Sequence, residues 1–247
     1  MSPMKHPPLL KLAPLALAAA LALPAQAQVV NGDFSNGLAG WSTLGDASTK
    51  AANAVDPSRL WLTTASVKYD DDVDYGIAAG GRNASGVAAV DNGMGDIEAF
   101  AGAPDGALYA VYEGSAAKQS FNADAGSKLS FHWDLGTLDA RTNASTFDTA
   151  FVVIDGKLTT LGDISAATQA GTDGNATHTG WTDFSYTFAT AGQHTIAFGV
   201  GDIGDYDATS TLAVAGVSVS AVPEAPTALL MAAGLGLLGA ARRRKQG

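Results

Sequence analysis

The chain has 247 residues, of which 47% are hydrophobic and only 15% charged, with a formal net charge of −10 and no cysteine. The acidic balance argues against a nucleic-acid partner, since binding phosphates needs clustered Lys and Arg. Without cysteine there can be no disulfide, no thiol catalysis and no cysteine-based zinc site.

Lys5 and Lys11 precede an apolar run over 12–23, and Ala25-Gln-Ala27 supplies the small-x-small form that a signal peptidase needs. Residues 1–27 therefore read as a secretory signal cleaved after Ala27. The run is short for a membrane span, Pro14 interrupts it and Pro24 ends it.

The body, 28–221, holds 23 acidic and 8 basic residues, a balance of −15, and all but Glu98 and Glu113 of the acids are Asp. Asp favours turns and oxygen-rich cation sites over helices. Runs of β-branched and aromatic residues separated by Gly, Asp and Asn recur along the body, and no helical period is sustained. Strands are expected at 29–34, 59–67, 97–100, 107–113, 118–122, 128–135, 147–154, 157–161, 181–189, 193–200 and 211–220. Alternation is clearest in Leu129, Phe131, Trp133 and Leu135, and recurs in Phe184, Tyr186 and Phe188 and in Ile196, Phe198 and Val200. Phe151-Val-Val-Ile154 does not alternate, which suits a strand covered on both faces. The expected fold class is all-β, a two-sheet antiparallel sandwich of jelly-roll type.

Val30-Asn-Gly-Asp-Phe34, Gly37 and Gly40-Trp41 resemble the opening of carbohydrate-binding-module-like jelly rolls. The stretches 180–188, 191–198 and 212–219 resemble their closing strands, although Ala215 and Gly216 stand where that pattern has an acid or Asn. The resemblance implies the same fold and is silent on ligand.

Candidate sites are few. Asp70, Asp72 and Asp74 have the first three ligand spacings of an EF-hand loop, but Tyr75 stands where Gly is required and Gly81 where a bidentate Glu is required. A solvated acidic loop is expected there. Asp202, Asp205 and Asp207 follow one strand and precede the last, and with Asp33 they form the candidate structural calcium site. Gly199-Val-Gly-Asp-Ile-Gly204 matches a dinucleotide fingerprint in letters only, as no helix follows it. No Gly-x-Ser-x-Gly elbow exists, and no carboxylate pair stands out as a glycosidase couple. Sugar rings stack on Trp and Tyr faces. Trp41, Trp133 and Trp181 fall at core-type positions, which leaves Trp61 and Tyr109 as candidate glycan contacts.

The tail, 222–247, begins Val222-Pro223-Glu224-Ala-Pro-Thr, continues without charge to 241, and ends Arg242-Arg243-Arg244-Lys245. A helix over 225–241 would cover about 25 Å, just enough to cross a hydrocarbon core with the basic cluster at the cytoplasmic headgroups. These three parts in order resemble the PEP-CTERM sorting signal of exopolysaccharide-producing bacteria. The resemblance implies transient anchoring in the inner membrane, recognition by an exosortase-type enzyme, cleavage near Pro223-Glu224, and delivery to the surface or extracellular matrix.

The expectation for the whole chain is a non-enzymatic exported protein, structural or polysaccharide-associated. The alternatives are a secreted polysaccharide hydrolase with an unrecognised Asp pair and an adhesion or ice-binding surface.

Overall fold

The computed structural model describes residues 28–67, 72–92, 95–139, 143–220 and 234. The expected signal peptide with Ala25 and Ala27, the sorting residues Val222, Pro223, Glu224, Arg242, Arg243 and Arg244, and nearly all of the expected tail helix lie outside them. Among the described residues no helix is long and apolar enough to cross a membrane.

Among the described residues the body has thirteen strands, one short α-helix and three 3-10 turns. The strands and the helix are β1 Ser42–Leu44, β2 Ala47–Lys50, β3 Arg59–Thr63, β4 Val90–Asp91, α1 Asp96–Ala101, β5 Val111–Ala123, β6 Lys128–Thr137, β7 Thr149–Ile154, β8 Lys157–Asp163, β9 Gln169–Ala170, β10 Thr177–His178, β11 Thr182–Thr187, β12 Gly192–Ile203 and β13 Ser210–Ser220. Every pairing is antiparallel. A six-stranded sheet runs β1-β5-β12-β7-β8 with β4 also on β5, and a seven-stranded sheet runs β2-β3-β13-β6-β10-β9 with β11 also on β6. The long strands are nested: β5 pairs with β12 in one sheet, while their chain neighbours β6 and β13 pair in the other. This nesting is the jelly-roll arrangement, and it closes one sandwich.

The core lies between the sheets. Leu129, Phe131, Trp133 and Leu135 of β6 meet Ile196, Phe198 and Val200 of β12, with Leu60, Leu62, Val152, Ile154, Leu212 and Val214 around them. Burying each such side chain contributes roughly 1.5–3 kcal/mol. The run over β7 is covered on both faces as its sequence requires. Val152 and Ile154 face this core, while Phe151 and Val153 face a second cluster with Ile97, Ala101 and Leu108, where α1 covers the outer side of the six-stranded sheet.

Three sequence expectations are corrected. Residues 29–34 form turns, because Asn31 and Phe34 hold positive φ and the Asn31 side chain bonds Gly37 O, Ala39 O and Asn36 N. Residues 97–100 are helical. Gly95 and Gly102 close α1 in left-handed conformations at both ends, and Asn92 Oδ1 accepts the Ile97 N–H. The separate strands expected at 107–113 and 118–122 are one strand, β5, preceded by a turn.

Candidate functional site

The outer face of the seven-stranded sheet carries a small polar pocket with room for about one water molecule. Asp56, Arg59, Trp61, Asp134, Asp173 and Trp181 line it, with Asn175 and Thr211 beside them. Alternation along β3 sends Leu60 and Leu62 inward, so Arg59 and Trp61 project outward. Arg59 is nonetheless 2% exposed, because the 51–58 and 171–176 loops fold over it. Its guanidinium lies 3.5 Å from Asp56, donates Nη1–H to Pro57 O, and pairs with Asp173. Lys50 reaches Asp173 at 3.6 Å and sits 3.4 Å over the Trp61 ring. Arg82 donates to Asn175 Oδ1 at 2.6 Å. Three of the eight basic residues of the body thus gather around one loop of an otherwise acidic domain.

The acceptors are held just as firmly. Trp181 donates its indole N–H to Asp56 at 3.1 Å, leaving the ring half-buried at the pocket wall. Asp134 takes His178 Nδ1 on one oxygen and the Thr179 hydroxyl on the other. Burial works to raise the Asp56 carboxyl. The hydrogen bonds from Trp181 and Asn53 and the charge of Arg59 outweigh it, so Asp56 titrates below the ordinary carboxylate range. Burial draws the Lys50 ammonium below its ordinary value, and the nearby Asp173 only partly offsets this.

The two aromatic candidates lie far apart in the fold. Trp61 is 5% exposed under Lys50, whereas Tyr109 is 86% exposed beside Leu108, on the α1 side of the sandwich. They stand on opposite outer faces and cannot contact one ligand together. Trp41 and Trp133 are core side chains, as their positions imply, but Trp181 is not.

The four aspartates expected to share a calcium ion are not brought together. Asp33 is exposed in a turn, bonding Ser35 N and Oγ, and its neighbour Gly32 pairs with Val217, seven residues along β13 from the end where Ser210 stands. Asp207 is exposed as well. Asp202 is 1% exposed, and Asp205 lies against it. In the acidic stretch at 70–74, Asp74 is exposed as in a solvated loop, but Asp72 is not. Asp72 is buried and accepts the Thr209 N–H and hydroxyl at 2.7 and 2.6 Å, which fixes the loop entering β13.

Asp202 faces a residue that the sequence did not single out as its partner. On paired β12 and β7, Val200 stands opposite Ala150 and Gly201 opposite Thr149, so the next position sets Asp202 opposite Asp148. On its other side Asp202 stands opposite Glu113 of β5. Burial pushes both Asp148 and Asp202 far above the ordinary range; for Asp148 the Ser210 hydroxyl and the Ile203 N–H only partly offset it and Asp139 and Asp205 add repulsion, while for Asp202 repulsion from Asp148, Asp205 and Glu113 adds to it. A sequence signal existed: extending the core alternation of 196, 198 and 200 to 202, and of 154, 152 and 150 to 148, places an acid at an inward position on each strand.

Residues 221–245 match the PEP-CTERM protein-sorting motif. The tail therefore carries the signal of an exported, surface-directed protein. No curated protein matches the chain. Among solved structures, TmCBM61 in complex with β-1,4-galactotriose is 9% identical, with 80% of this chain and 100% of that one covered and a TM-score of 0.40. The K3 cleaved adhesin domain of Lys-gingipain from Porphyromonas gingivalis W83 is 14% identical over 79% and 100%, TM-score 0.43. CBM28, a carbohydrate-binding module specific for non-crystalline cellulose, is 11% identical over 78% and 93%, TM-score 0.38.

Proposed function

We propose that the exported sandwich binds polysaccharide at the cell surface or in the extracellular matrix and does not turn it over, and that the pocket around Arg59 and Trp181 is the binding site. The observation that carries this reading is the convergence of Lys50, Arg59 and Arg82 with Asp56, Asp134, Asp173 and the Trp181 ring on one sheet face. Arg59 is buried and fully engaged, so it braces the site, and the partly exposed Lys50, Asp173 and Trp181 at its rim are the groups a sugar would meet, the indole offering an apolar wall. The sorting signal supports the setting, since it directs the chain to where such polymers are.

A non-catalytic role is supported by how the carboxylates are held: Asp56, Asp134 and Asp173 in the pocket are engaged by Trp181, by His178 and Thr179, and by Arg59, and the facing pair Asp148 and Asp202 lies outside that pocket. A glycosidase needs two carboxyls flanking a bond in a cleft open to substrate. Asp148 and Asp202 face each other between the sheets, both at 2% exposure or less. The producer's own extracellular polysaccharide, immobilised and offered to the protein, should retain it. Trp181→Ala should weaken retention about tenfold, equivalent to some 1.4 kcal/mol. Equal retention of Trp181→Ala and the parent would move the site elsewhere, and release of reducing ends from the polymer would overturn the non-catalytic reading.

A further inference from the structure

We infer that the end of the sandwich where β5, β7 and β12 meet is a site for a hard divalent cation of the calcium class, with Asp148 and Asp202 as its anchoring ligands and Glu113 and Asp205 completing its carboxylate set.

The placement follows from register. Val200 and Ala150 lie in the core between the sheets, and two residues further along each strand the same face carries Asp202 and Asp148. Glu113 stands opposite Asp202 and two residues from Ser115, whose hydroxyl crosses the sandwich to Thr63 O at 2.6 Å, so Glu113 points inward too. Three carboxylates therefore form a row across adjacent strands, at 8%, 1% and 2% exposure for Glu113, Asp202 and Asp148. Asp205 approaches from the loop that leaves β12.

An independent observation points to a ligand. Asp148 Oδ1 accepts the Ile203 N–H, but Asp148 Oδ2 and Asp202 Oδ1 are fully buried without a hydrogen-bond partner. A buried carboxylate oxygen left unpaired is costly, and other buried acids of this domain avoid it. Asp46 is bonded by Thr63, Ala84 and Ser85, and Asp72 by Thr209. The two orphaned oxygens belong to facing residues, and among the described residues no Lys or Arg is paired with either. A calcium ion takes six to eight oxygen ligands, with main-chain carbonyls and water supplying what carboxylates do not. Among the described residues no three such side chains already stand in a chelating arrangement. The ion must draw Glu113 or Asp205 in to the pair, which is the movement that neutralising a repulsive row would produce.

The full chain should melt at least about 5 °C higher in millimolar CaCl2 than in chelator, as expected for a domain of this size with ligand well above Kd. Terbium added in place of calcium should luminesce on excitation of tyrosine, because Tyr112 and Tyr206, whose rings lie 5.4 Å apart, adjoin Glu113 and Asp205 in the chain. Asp148→Asn and Asp202→Asn should each remove the calcium shift and the terbium signal, yet melt in chelator no lower than the parent, since each relieves repulsion. Asp207→Asn, an exposed neighbour, should keep both responses. A parent melting temperature indifferent to calcium would overturn the site, and one that instead rises only on acidification would mean that the pair shares a proton. A calcium shift surviving in Asp148→Asn and Asp202→Asn would overturn the assignment equally.

Discussion

Gly199 shows how little space single residues of this core leave. A Cβ there would lie 2.2 Å from the Phe151 ring across the β7–β12 pair, so the aromatic ring occupies the volume that any side chain would need. Gly199→Val should cost about 1–3 kcal/mol by overpacking, or roughly 2–4 °C of melting temperature per kcal/mol, read by thermal denaturation. Phe151→Leu with Gly199→Ala should recover part of that loss, because the two changes share one volume. Asp56 is a residue whose effect depends on pH. Its folded pKa lies below its unfolded value, so its contribution is complete above the ordinary carboxylate range and is lost as pH falls through the folded value. The melting temperature of Asp56→Asn should therefore lie below that of the parent at neutral pH, and the gap should narrow below about pH 4. Trp181 fluorescence should follow the same course, as Asp56 holds its indole.

At the scale of elements, α1 is the piece that turns a sandwich of two layers into one with a third layer on its six-stranded side. Ile97 is 0% exposed and packs with Phe151 and Val153, so Ile97→Ala should cost about 2–5 kcal/mol through the cavity it leaves, without disturbing the opposite face. Binding to polysaccharide measured below the lowered melting temperature should be unchanged, which separates the two faces experimentally. The same helix marks the limit of what the chain's pattern revealed. β6, β11 and β12 were legible because each has one face in the core and so alternates. α1 was not, since Ile97 and Phe100 read as strand formers while the helix depends on its flanking glycines and on Asn92. The pattern of β5 breaks into two apparent strands because Gly114-Ser-Ala-Ala117 is small and unpatterned. Those residues are small because both faces of β5 are covered there, Ala116 by the α1 layer and Ala117 by the main core. The pocket was hidden for a different reason: Arg59, Asp134, Asp173 and Trp181 come from four separate segments, and only the folding of the 51–58 and 171–176 loops brings them together.

For the molecule as a whole, a body charge of −15 and a basic, apolar tail divide the chain into parts with opposite affinities for a membrane surface. Anionic headgroups attract a basic cluster such as Arg242, Arg243, Arg244 and Lys245, each residue contributing about 1 kcal/mol near such a surface, and repel an acidic body, so removing the tail removes the chain's electrostatic attraction to that surface. The matched motif at 221–245 begins at the junction of these two parts, one residue beyond the end of β13, so a cut there leaves both sheets intact. Protein recovered from the producer's surface or matrix should accordingly have an intact mass corresponding to a chain starting at Gln28 and ending near Val222. Glu224→Ala together with Pro223→Ala should hold the protein in the membrane fraction at a mass that includes residues 242–247, with the melting temperature of the body unchanged. Surface protein carrying the full tail would show instead that the tail is a permanent anchor, and would place the proposed binding face at the membrane and not in the matrix.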